Sequence, residues 1–173
     1  MPHIHLETLI KAPMERCFDL SRSIELHTLS TAKTGEKAIA GKTTGLIGLG
    51  ETVTWQARHF GVRQKLTSRI TGYTYPTYFC DEMEKGAFRR MRHEHHFRHQ
   101  GGITVITDLF EFESPFGRLG RFANDFVLTA YLKKLLLERN YVIKQAAESD
   151  QWKQILPQST TAGPASPIAG NPG

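Results

Sequence analysis

From Gly35 to Ser114 nearly every segment alternates apolar and polar residues with period two, and beyond "SPFG" the period lengthens to 3.6. Strand spacing places successive side chains on opposite faces, so such a run folds only if its strands pair into a sheet with one buried face. The pieces are "EKAIAG", "ETVTWQARHF", "RQKLTSRITGY", "TYFCDEME", "FRRMRHEHHFRH" and "GITVITDLFEFE", separated by Gly, Pro or charged turns. An earlier strand, "HIHLETLI", buries Ile4, Leu6, Thr8 and Ile10 and brings the count to seven. Pro13 opens a short helix over "PMERCFDLSRS", because proline suits a first helical turn, and "SIELHTLS" reads as a second. Leu128, Leu132, Leu135 and Leu136 recur at i, i+4, i+7 and i+8, which predicts one long amphipathic helix running to about Glu148. That helix has a broad apolar face and must cover the sheet.

A chain of 173 residues is most simply one domain, able to bury roughly 70% of its unfolded surface. The expected domain is 1–150. Residues 151–173 are rich in Pro, Gly, Ser and Thr, carry no charge beyond Pro157, and are expected to form a disordered tail. The formal charge of +5 is spread along the chain and no nucleic-acid-binding module accompanies it, so DNA and RNA are not expected partners. Two cysteines, Cys17 and Cys80, are too few for a disulfide framework. No signal-peptide core precedes the first strand and no apolar run reaches the roughly 20 residues a membrane span needs, so a cytoplasmic protein is expected. The sequence leaves the oligomeric state open.

Strand, two short helices, six antiparallel strands and a long C-terminal helix make up an α+β order. Over about residues 3–148 the chain resembles the SRPBCC, or START-like, superfamily of helix-grip proteins. The stretches that carry the resemblance are "IKAPMERCFDL", "GLIGLGETVTWQARHFG", "FCDEMEKGAFRRMRHEHHF" and "TDLFEFESPFGRLG". They are most similar to an uncharacterised bacterial branch described as cyclase/dehydrase-like or cell-division-inhibitor-like. The resemblance implies a deep cavity between sheet and long helix that holds an apolar or amphipathic small molecule.

Alternation names the side chains of such a cavity. Met91, His93, His95 and Phe97 share one face of their strand, with Arg90, Arg92, Glu94, His96 and Arg98 on the other. Val53, Trp55, Ala57 and His59 fall together, as do Phe79, Asp81 and Met83. Asp108 is the one carboxylate among Thr104, Ile106, Phe110 and Phe112. The expected ligand-binding set is therefore Trp55, His59, Asp81, Met91, His93, His95, Asp108, Phe110 and Leu132. Charge in an apolar wall is costly unless paired, so the carboxylates and imidazoles should bond one another or a ligand. A carboxylate on one ring nitrogen of His95 would leave the other directed into the cavity. If the protein is instead a cyclase or dehydratase, His59 or His95 is the candidate base and Asp81 or Asp108 its orienting partner.

Three other chemistries are set aside. His-x-His on a strand can supply two zinc ligands, with a third from His59 or a carboxylate. Alternation alone gives the same spacing, however, and "HExxH" and "CxxC" are absent, so no metal and no cofactor is expected. "AGKTTG" ends like a phosphate-binding loop, but Gly35 lies one position too far from Gly41 and a strand follows. "GLIGLG" lacks the order of a dinucleotide-binding turn.

Overall fold

The computed structural model describes residues 2–114 and 121–157, the side chains of 121–124 excepted. Seven strands form one antiparallel sheet: β1 (His3–Ile10), β2 (Lys37–Gly41), β3 (Thr52–His59), β4 (Val62–Thr74), β5 (Tyr78–Lys85), β6 (Arg90–Gln100) and β7 (Ile103–Glu113). The order is β1-β7-β6-β5-β4-β3-β2, so consecutive strands from β2 to β7 are hairpin neighbours and β1 closes the far edge. Each strand lies within about two residues of its sequence-based bounds.

Between β1 and β2 run α1 (Met14–Ser21), α2 (Ile24–Ser30) and a 3₁₀ turn, Ala32–Thr34, which alternation did not reveal. Pro13 caps α1 from outside, and the Ser23 hydroxyl accepts the Leu26 N–H to cap α2. The long helix α3 (Arg121–Glu148) packs across β1 and against α1 and α2. Ile143, Ala146 and Ala147 of α3 bury against Ile10, Phe18 and Ile106 at one end of the sheet. Toward the other end Leu128, Leu132 and Leu136 join Met91, Phe110 and Phe112. Two apolar clusters result, and the space between helix and sheet is not filled by either.

Beyond 150 the chain forms a further short helix, α4 (Trp152–Ile155), with Trp152, Ile155 and Leu156 packed on the core. This part of the segment expected as a tail is therefore ordered. Apolar Trp152, Ile155 and Leu156 give residues 151–157 what the small residues after Pro157 lack. Residues 158–173, and the stretch 115–120 that ends the "SPFGRLG" resemblance, lie outside the described residues. Among the described residues no helix is long and apolar enough to cross a membrane.

Candidate functional site

The register of three hairpin strands sets the site. His93 is opposite Asp81 on one side and Phe110 on the other, while His95 is opposite Phe79 and Asp108. All of these share the concave face, so two imidazoles and two carboxylates meet beneath α3. His93 and His95 lie with ring centroids 3.8 Å apart and their planes tilted by 42°, and Phe79 stacks on the His95 ring at 4.1 Å.

Asp108 has no exposed surface and anchors the cluster. His93 Nε2 lies 2.9 Å from its Oδ1, and Asn140 of α3 donates to its Oδ2 at 2.6 Å. Asn140 also donates to Thr8 of β1, while Arg139 donates to Ser21 O and Asn140 Oδ1 and keeps Nη1 3.6 Å from Asp108. Burial alone pushes the Asp108 carboxyl up. The His93 hydrogen bond and the close approach of His95 more than offset this and hold it well below the ordinary range. An ionised carboxylate only accepts, so His93 must carry its proton on Nε2. His93 is pushed down to about 4 by burial and by neighbouring His95, the carboxylates compensating only in part. It is a neutral ring whose Nδ1 has no hydrogen bond among the described residues and lies 3.9 Å from Asp81 Oδ2.

His95 is held differently. Its Nε2 is 3.2 Å from Asp81 Oδ2, and its Nδ1 is 2.8 Å from Asp108 Oδ1 but off the line a hydrogen bond needs. Both nitrogens therefore face carboxylate oxygens. The ring with a nitrogen free of close partners is His93, and not His95 as the sequence suggested, because the register puts Asp108 directly across from His95. Asp81 keeps 21% of its side-chain surface open. Burial raises its carboxyl too, but the bond to His95 and the two imidazoles bring it below the usual value.

These groups form the inner end of a cavity of about 630 Å³ between sheet and helix. Of the expected residues, Trp55, His59, Asp81, Met91, His93, His95, Phe110 and Leu132 line it. Asp108 does not, being screened by the two histidines in front of it, so its part is to hold them. Arg139 does reach the cavity, and it escaped the sequence reading although it continues the leucine stripe at Leu132 and Leu136 by one turn. A polar residue on an apolar stripe was the available signal.

A second polar group lies away from the histidine pair. His59 Nδ1 is 2.8 Å from the Tyr131 hydroxyl, and Phe60 packs on Tyr131 at 4.6 Å. His27 stacks on Trp55 at 4.0 Å with Glu36 3.4 Å from its Nε2. Burial raises Glu36, yet His27 draws it below its usual value. Phe60, Val62 and Val127 line the cavity and are themselves more than half exposed, which locates its mouth between the β3–β4 turn and α3.

Solved structures share this architecture. TTHA0849 from Thermus thermophilus superposes with a TM-score of 0.67 at 18% identity, covering 86% of this chain and 100% of that one. The Zhui aromatase/cyclase of Streptomyces sp. R1128 gives 0.64 at 14% identity, covering 85% and 93%. The major latex-like protein 151 of Panax ginseng gives 0.60 at 14%, covering 86% and 98%. The chain has the helix-grip fold. At these identities the likeness carries the fold alone. No protein-family model matches the chain, and no curated protein matches it by sequence.

Proposed function

We propose that the protein binds an apolar or aromatic small molecule in the cavity under α3, with its polar end against Asp81, His93 and His95. The observation that carries this reading is the cavity's division of labour. Val53, Leu66, Met91, Phe110, Leu132 and Leu136 give it apolar walls, while Asp81, His93, His95 and Arg139 form one polar group in its lining and His27, Glu36, His59 and Tyr131 another. A volume of about 630 Å³ lies within the range of pockets that enclose drug-sized ligands. A bare His93 Nδ1 suits a ligand hydroxyl, which would donate to it.

A second reading is a cyclase or dehydratase acting on the same ligand, favoured by the carboxylate against each nitrogen of His95, which would stabilise an imidazolium formed during proton transfer. In that reading His93, held near 4, is not itself the base. The aromatase/cyclase among the fold neighbours lends this second reading the support of architecture only.

Native mass spectrometry of the purified chain tests the proposal. One organic mass per chain, lost when Ala57→Trp fills the cavity wall, is expected. Absence of any retained mass, together with no binding of apolar aromatic probes, would sink it. Conversion of the retained compound on incubation would favour the enzyme.

A further inference from the structure

His95 presents a problem of hydrogen-bond inventory. A neutral imidazole has one N–H and one lone pair, yet carboxylate oxygens approach both nitrogens, at 2.8 Å on Nδ1 and 3.2 Å on Nε2. Whichever nitrogen carries the proton, the other sets lone pair against lone pair unless something cationic lies between. On the cavity side the same situation repeats. His93 Nδ1 also faces Asp81 Oδ2, at 3.9 Å, because its Nε2–H is committed to Asp108.

One donor atom from each of Asp81, His93 and His95 lies within 4.8 Å of the other two. Donors held tetrahedrally at about 2.0–2.2 Å from one metal stand about 3.3–3.6 Å apart, and Asp81 Oδ2 lies 3.2 and 3.9 Å from the two imidazole nitrogens, on either side of that spacing. We propose that Asp81, His93 and His95 bind a divalent first-row transition metal at the inner end of the cavity. The donors are Asp81 Oδ2, His93 Nδ1 and His95 Nε2.

The arrangement behind them is what such a site requires. Histidine ligands are normally oriented by a carboxylate or carbonyl on the remote ring nitrogen, and here Asp108 approaches the remote nitrogens of both rings. Asp108 is in turn fixed by Asn140, with Arg139 nearby. Two carboxylates, one guanidinium and a divalent cation sum to a single positive charge, whereas without the cation the two carboxylates face one guanidinium. The remaining coordination positions would open onto the cavity, which Asp81, His93 and His95 line. His59 is outside the trio, so the third ligand is the carboxylate of the neighbouring strand. The site does not depend on an organic ligand being bound.

A proton on His95 is the competing answer to the same geometry, and metal titration separates the two. Full-length protein purified without a metal-affinity step and dialysed against a chelator should take up one Zn²⁺ per chain by calorimetry. Co²⁺ should give the visible absorption of a low-coordinate nitrogen and oxygen site. Asp81→Asn and His93→Ala should abolish stoichiometric uptake, and Asp108→Asn should weaken it about 10–100-fold. His96→Ala, on the outer face of β6, should leave it unchanged. If a site variant fails to fold, X-ray absorption of the zinc-loaded wild type must still show two imidazole ligands. No uptake by the wild type, uptake undiminished in a folded Asp81→Asn, loss in His96→Ala, or a spectrum without imidazoles would each overturn the proposal. None of these readouts depends on an organic ligand, so the small-molecule reading can fail separately.

Discussion

A carboxylate without exposed surface persists only where donors surround it, and Asp108 has them from two elements, β6 through His93 and α3 through Asn140. Asp108→Leu keeps the side chain's size while stranding the His93 N–H, an Asn140 N–H and the Arg139 charge. We expect a loss of about 3–5 kcal/mol in urea unfolding, whereas Asp108→Asn, which still accepts from His93, should lose less. Equal losses would mean that the negative charge, and not the hydrogen bond accepted from His93, is what is held there. Cys17 gives a cleaner pH signal, far from the histidines in sequence. Burial pushes its thiol up to about 11, above an ordinary value of 9.0, with Thr104 offsetting only part of the rise. The folded state thus keeps the proton that the unfolded state loses first. Its contribution is fully present below pH 9 and disappears as pH rises toward 11, on the order of 2–3 kcal/mol in all. Melting curves from pH 8 to 11 should show a steeper decline for the wild type than for Cys17→Ala. Parallel declines would remove Cys17 as the cause.

At the level of elements, the β2–β3 pairing depends on one backbone position. Gly41 has φ +71°, and a Cβ there would lie 2.2 Å from the Thr52 carbonyl oxygen across the bulged hairpin. Gly45 has φ +77° with nothing within 4 Å of the same added atom. Gly41→Ala should therefore cost about 2 kcal/mol or more, and Gly45→Ala about 1, in denaturant unfolding. Similar values would show that conformational strain, not contact, dominates both. The strands themselves were readable because period two is strong in β3, β6 and β7, as in Met91, His93, His95 and Phe97, all buried. Which histidine meets which carboxylate was not readable. That choice follows from register, which the β5–β6 and β6–β7 turns set, and a one-residue slip would exchange the faces. Arg139 and Asn140 were missed because arginine and asparagine in a helix usually face water, whereas here they replace leucines over a buried Asp.

Over the whole molecule, the sheet and α3 enclose a space that neither apolar cluster fills, and the two tryptophans are distributed unequally around it. Trp55 stands in the cavity wall with His27 stacked on it, while Trp152 lies outside the lining, beneath the Arg16 guanidinium at 4.2 Å. A ligand entering past Phe60 and Val127 must displace water from the Trp55 face without touching Trp152. Binding of an apolar aromatic compound should therefore change the emission of the wild type and of Trp152→Phe alike, and leave that of Trp55→Phe unchanged. The same compound should raise the melting temperature of all three proteins, since binding the folded state stabilises it in proportion to RT ln(1 + [L]/Kd), about 2.7 kcal/mol at a hundredfold excess over Kd. Stabilisation in step with a Trp152 signal would place the ligand against α4 instead of beneath α3. Stabilisation with neither signal would put it on an outer surface, and the cavity would then have to be regarded as a packing defect, not a binding site.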